Sequence, residues 1–114
     1  MRPALALPLL LVAGPLPAAT LDTPGYRVEI IEQCDEGTVG CDNVLYRGTS
    51  KKSGNTLELK GRQLMRLCAD GITPCHSLGY EFNNGDTHYF VGEDGRLSVT
   101  RGDRTLVDQQ GEWR

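Results

Sequence analysis

Imidazole, indole and long apolar runs are scarce in this chain of 114 residues, which carries two histidines, one tryptophan and two phenylalanines. With only His76 and His88 available, there is little scope for a histidine base or a histidine metal cage, and neither lies in a His-Glu-x-x-His zinc helix. No Gly-x-Ser-x-Gly nucleophile elbow and no glycine-rich phosphate cradle is present. The expectation is a non-enzymatic protein with no cofactor and no metal. Basic charge is not in excess either, with 12 Lys and Arg against 15 Asp and Glu, so nucleic acid is not an expected partner. Beyond residue 19 no apolar run approaches the roughly 20 residues that span a bilayer, and no apolar period of helical length appears.

What the first residues do contain points to a compartment. Met1-Arg2 is a short basic start, Ala4 to Val12 is apolar apart from Pro8, and Pro15, Pro17, Ala18 and Ala19 close the segment. That order is the pattern of a secretory signal peptide, with cleavage after Ala18 or Ala19. The expected organisation is a leader over residues 1–19 and one small domain over 20–114, in the periplasm or secreted, with no membrane span in the mature chain. A core of that size is marginal, which is a physical reason for covalent staples.

All four cysteines fall in two matched segments. Cys34-Asp-Glu-Gly-Thr-Val-Gly-Cys41-Asp-Asn-Val-Leu-Tyr46 is echoed by Cys68-Ala-Asp-Gly-Ile-Thr-Pro-Cys75-His-Ser-Leu-Gly-Tyr80, each matched position offset by 34. Four cysteines allow three connectivities, and spacing alone does not choose among them. Loop entropy assigns about 2.5 kcal/mol to each local bridge and about 4 to one joining the copies, whereas proximity in the unfolded chain favours local closure. Each copy holds a complete pair, so Cys34–Cys41 and Cys68–Cys75 are expected. Zinc fits poorly, because its cysteine pairs usually stand two to four residues apart.

Between and after these loops the chain alternates. Tyr26–Gln33, Asn43–Thr49, Thr56–Lys60, Thr87–Val91, Arg96–Thr100 and Arg104–Asp108 read as strands, with Gly61 ending the third. Gln63–Cys68 fits either a short helix or a strand and is assigned as strand. Tyr80–Phe82 leads into Thr87 through an Asn84-Gly85 turn, and Asp94-Gly95 marks another. Short turns between successive strands give an all-β domain: a single antiparallel meander or barrel of seven or eight strands, disulfide-stabilised. Tyr46, Leu57, Leu59, Tyr80, Phe82, Leu97 and Val99 are expected to face its core.

Most polar signals have local explanations. Asp70, Asp86, Asp94 and Asp103 stand where turns use Asp for backbone bonding. Arg101-Gly102-Asp103 is an ordinary turn before it is an adhesion tripeptide, and Trp113 is expected to close the barrel mouth. Asp22, Glu29, Glu32, Asp35, Glu36 and Asp42 oppose Arg27 alone, while Arg47, Lys51, Lys52, Lys60, Arg62 and Arg66 oppose Glu58 alone. Opposite charge on consecutive strands suits pairing between neighbours.

Cys41-Asp-Asn-Val-Leu-Tyr-Arg-Gly-Thr-Ser-Lys-Lys-Ser-Gly54, with Leu59-Lys-Gly61 and Leu78-Gly-Tyr-Glu-Phe-Asn-Asn-Gly85, resembles a group of short exported proteobacterial proteins. These share a Cys-Asp-Asn-Val-x-Tyr-x-Gly core followed by Lys-Lys-x-Gly. The resemblance implies a Gram-negative, periplasmic setting and no particular activity. More loosely, the chain is similar to periplasmic inhibitors of C-type lysozyme, small antiparallel barrels whose inhibitory loop carries Ser-Gly-x-x-Tyr. Ser77-Leu78-Gly79-Tyr80 has those residue types at a different spacing. The functional expectation is an exported protein that binds another protein, such as a peptidoglycan-cleaving enzyme, as its inhibitor or immunity protein. Its contact loop would be His76, Ser77, Leu78 and Gly79, stiffened by the second bridge. The alternative is a structural or accessory periplasmic protein.

Overall fold

Alternating side chains need a sheet with one dry face, and a chain this short can hide that face only by curling. The computed structural model describes residues 19–114. Its regular structure is entirely β. The strands are β1 (Ala19–Asp22), β2 (Tyr26–Glu32), β3 (Val44–Ser50), β4 (Thr56–Leu67), β5 (Pro74–Asn84), β6 (Thr87–Gly92), β7 (Arg96–Arg101), β8 (Arg104–Gln110) and β9 (Glu112–Trp113). They form one antiparallel sheet in the order β8-β7-β6-β5-β4-β3-β2-β1-β9, a nearly closed barrel. The expected leader lies outside the described residues except for Ala19, which pairs with Ile30 at the start of β1.

Strands β1 to β8 follow one another as a meander, and only β9 departs from it. Leu21 pairs with Trp113 and Asp22 with Glu112, so the chain crosses from the β8 edge to the β1 edge at Gly111. Gln109 of β8 reaches over the same seam. Its side-chain oxygen accepts from Thr23 Oγ1 at 2.8 Å and from the Gly25 amide at 3.0 Å. Trp113 donates from Nε1 to the Glu93 carbonyl at 3.0 Å, placing the indole at the barrel end as a closing element.

The core lies on the inner face. Leu21, Val28, Ile30, Val44, Phe82 and Val91 are fully buried, with Tyr46, Tyr80, Leu97 and Val99 nearly so. The Tyr46 ring centroid stands 5.2 Å from that of Phe82 and 5.5 Å from that of Tyr89, in tilted geometry that suits aromatic quadrupoles. Of the expected core, Leu57 and Leu59 are only half-buried. Leu59 packs against the cluster, and Leu57 faces open space inside the barrel.

Three local expectations are corrected. The strand count is nine among the described residues, because a short β1 pairs along its whole length with β2 and a two-residue β9 adds to the free edge of β1. Gly61 does not end its strand: β4 runs on through Gln63–Leu67, with Gly61 opposite Phe82. The β5–β6 turn is centred on Gly85-Asp86, because Asn84 pairs with Thr87. That puts the positive φ of Gly85, 63°, at the first central position, where the primed hairpin turns require it. Gly102-Asp103 repeats this device between β7 and β8. Beside it, Arg101 turns back to Thr87 Oγ1 at 3.2 Å and Asp86 at 3.5 Å.

Candidate functional site

In an up-and-down meander, alternate connections gather at opposite ends of the barrel. The β2–β3 and β4–β5 connections, which hold all four cysteines, therefore share one end. Cys34 is bridged to Cys41 with Cα atoms 5.9 Å apart, and Cys68 to Cys75 at 5.1 Å. Both spacings suit facing positions of a hairpin. No cysteine is free. The two disulfides fit an oxidising, extracellular or periplasmic environment.

The first bridged loop is fastened to β4. The Cys41 amide donates to Gln63 Oε1 at 3.0 Å, and the Gln63 amide donates to the Cys41 carbonyl at 2.7 Å. The Gly40 backbone lies against the Met65 side chain. The second loop is organised by Asp70. One of its carboxylate oxygens accepts from the amides of Ile72 and Thr73, each at 2.9 Å, and the other from Thr73 Oγ1 at 2.6 Å. The Thr73 hydroxyl, then the two amides, hold the Asp70 carboxyl down at about 2. This acid is a turn organiser that lets its neighbour Ile72 stand out.

The segment expected to be a contact loop is strand. His76, Ser77, Leu78 and Gly79 all belong to β5, because the β4–β5 hairpin continues to Leu67 opposite Pro74. Register shifts break the pairing twice, between Leu64 and Met65 and between Arg66 and Leu67, leaving Leu78 and Cys75 as the extra residues. The consequences differ along the segment. Leu78 is turned outward and is 42% exposed, and His76 is exposed opposite Arg66. Ser77 is half-buried, its Oγ without a hydrogen-bond partner among the described residues. Gly79 is buried at φ 145°, where any Cβ would meet the Val91 carbonyl. Of the expected contact set, His76 and Leu78 are thus exposed, Ser77 is half-buried and Gly79 is buried.

The stapled end holds most of the exposed apolar bulk. Val39 in the first bridged loop is 64% exposed and Ile72 in the second 79%, with Leu67 at 49% just before the second bridge. Sequence reading missed Val39, Leu67 and Ile72. A β-branched residue between two turn-forming neighbours inside a six-residue bridged loop was the available signal, since such a loop has no interior to bury it. Where the barrel resumes, Tyr80 donates its hydroxyl to Glu32 at 2.8 Å. Burial, then that carboxylate, pushes the phenol upward.

The two oppositely charged stretches meet at two ion pairs, Glu29 with Arg47 and Asp22 with Lys51, and their other pairs go elsewhere. Arg47 bonds Glu58 at 2.8 Å and lies 3.5 Å from Glu29, while Asp22 pairs with Lys51 and with Arg114. His88 is an outer-face strand residue whose Nδ1 lies 3.1 Å from Asn83 Oδ1. Among the described residues, no cluster of three or more His, Cys, Asp or Glu side chains is arranged to hold a metal ion. Also among them, no helix is long and apolar enough to cross a membrane. No protein-family model, no curated protein and no solved structure matches this chain.

Proposed function

We propose that this is an exported, non-enzymatic binding protein whose bridged end meets another protein. The observation that carries the reading is the set of exposed apolar side chains in and beside the two bridged loops. Val39, Leu67, Ile72 and Leu78 are four of the five large apolar residues exposed among the described residues. Outward-facing apolar residues cost solubility unless something covers them. Here they ride on two disulfide loops and a twice-bulged hairpin that are ordered before any partner arrives, which lowers the entropic cost of association.

The concrete form we favour is an inhibitor of, or immunity protein against, an envelope-attacking enzyme such as a lysozyme, acting in the periplasm of a Gram-negative bacterium. The acidic balance of the chain supports it, since a negative protein is steered toward a cationic enzyme. Purified protein lacking residues 1–18 should slow peptidoglycan lysis at stoichiometric concentration, and less so as salt rises. Leu78→Asp combined with Ile72→Asp should relieve inhibition at least tenfold with little change in Tm. Undiminished activity of a panel of c-, g- and i-type lysozymes and bacterial amidases, with the protein in excess, rules the inhibitor out and leaves an accessory envelope role.

A further inference from the structure

The end opposite the bridges is not filled. A cavity of about 390 Å³ opens there, within the size range of small-molecule sites. Protein interiors are otherwise packed like organic crystals, and apolar hollows well under half this size take up benzene. Its floor is the Tyr46–Tyr89 pair, backed by Phe82. Tyr26, Leu57, Leu97 and Val99 are among the walls, while Ser50, Asn55 and Thr56 stand at the rim. No charged residue lines it among the described residues.

Two details make this a recess rather than a packing defect. Gly48 lines the cavity and the Tyr46 ring lies over its backbone, so the strand gives up a side chain where one would push Tyr46 out of place. Tyr46 itself is only 3% exposed. Burial and its two phenolic neighbours, Tyr89 and Tyr26, hold it protonated, and no described side chain hydrogen-bonds its hydroxyl. The hydroxyl belongs to a cavity-lining residue and, bonded to no described group, is free to donate to an acceptor placed there.

We infer that the barrel interior between Tyr26, Tyr46, Leu57 and Val99 is a binding site for a small, neutral, mainly apolar molecule that carries one hydrogen-bond acceptor, such as an aromatic ketone. The walls supply dispersion and apolar burial, and the Tyr46 hydroxyl orients the acceptor. The absence of lining charge selects against ions, whose desolvation nothing would offset. This site is at the far end from the bridged surface, so the two can fail independently.

The test uses the protein lacking residues 1–18 and the neutral fluorescent ketone 6-propionyl-2-dimethylaminonaphthalene. Saturable one-to-one binding with a blue-shifted emission is expected. Amide chemical-shift changes should centre on Tyr26, Tyr46, Leu57 and Val99. Leu57→Trp, which fills the cavity, should weaken binding at least tenfold. Tyr46→Phe should weaken the ketone several-fold while leaving a purely hydrocarbon analogue unaffected, a split that loss of packing would not produce. Absence of saturable binding by the wild type overturns the site, and so do shift changes centred on Val39, Ile72 and Leu78. Unchanged affinity in a folded Leu57→Trp variant overturns it as well. The shift map needs no variant and decides the matter if Leu57→Trp does not fold.

Discussion

The aromatic ring of Phe82 lies across Gly61, the residue it faces on the neighbouring strand. The glycine is therefore a socket, and β4 continues through it because the ring supplies the apolar contact that a side chain at position 61 would have made. A Cβ there would run into both the ring and the Glu81 carbonyl. Gly61→Ala should cost about 1–3 kcal/mol by overpacking despite raising strand propensity, measurable as a lowered urea midpoint at unchanged m. Stability equal to wild type would show that the ring can move aside.

The bridges act mainly on the unfolded chain. Each closes a loop with a sequence separation of 7, for which loop entropy gives about 2.5 kcal/mol. Replacing either pair by Ser should cost about 2–3 kcal/mol and leave the far-ultraviolet circular dichroism of the barrel intact. Non-reducing digestion between residues 42 and 67 should yield no fragment joining the two loops.

Asp70 sets an acid limb. Its folded-state value, about 2, lies below the 3.8 of an ordinary aspartate. Its contribution is therefore present above the unfolded value and lost as pH falls toward the folded one. Melting temperature should drop between about pH 4 and pH 2, and Asp70→Asn should flatten that drop. An unchanged acid limb in the variant would assign it to other carboxylates.

The seam is the weak side of the barrel. Replacing Gln109 with Leu leaves Thr23 Oγ1 and the Gly25 amide without their shared acceptor, which should cost about 1–3 kcal/mol. Hydrogen exchange should speed up first in β1 and β8. Uniform acceleration across all strands would mean that the seam opens only with global unfolding.

How much of this was legible follows the range of the forces involved. The β2, β3, β6, β7 and β8 segments were readable because alternation and short turns are local. Gly61 misled, because its breaking tendency is local while Phe82, which overrides it, is 21 positions away. The strand character of His76–Gly79 was hidden by two bulges, which interrupt the alternation that marks a strand. The two-residue β9 forms only against β1 at the other end of the domain, a pairing that no window of sequence contains. Alternation said that Tyr46, Leu57 and Val99 face inward. It could not say that their side chains fall short of meeting, since volume is a property of all the strands at once.

Neither disulfide crosses the seam or joins distant strands, and this fixes how the molecule behaves when drawn through a narrow pore. A bridge between the two cysteine copies would tie off β3 and β4 as a closed loop that could not be pulled straight. With Cys34 joined to Cys41 and Cys68 to Cys75, traction from either end can unzip β1 from β9 and then peel each hairpin in turn. Only two short knots resist extension, so the oxidised chain can be threaded almost to full length.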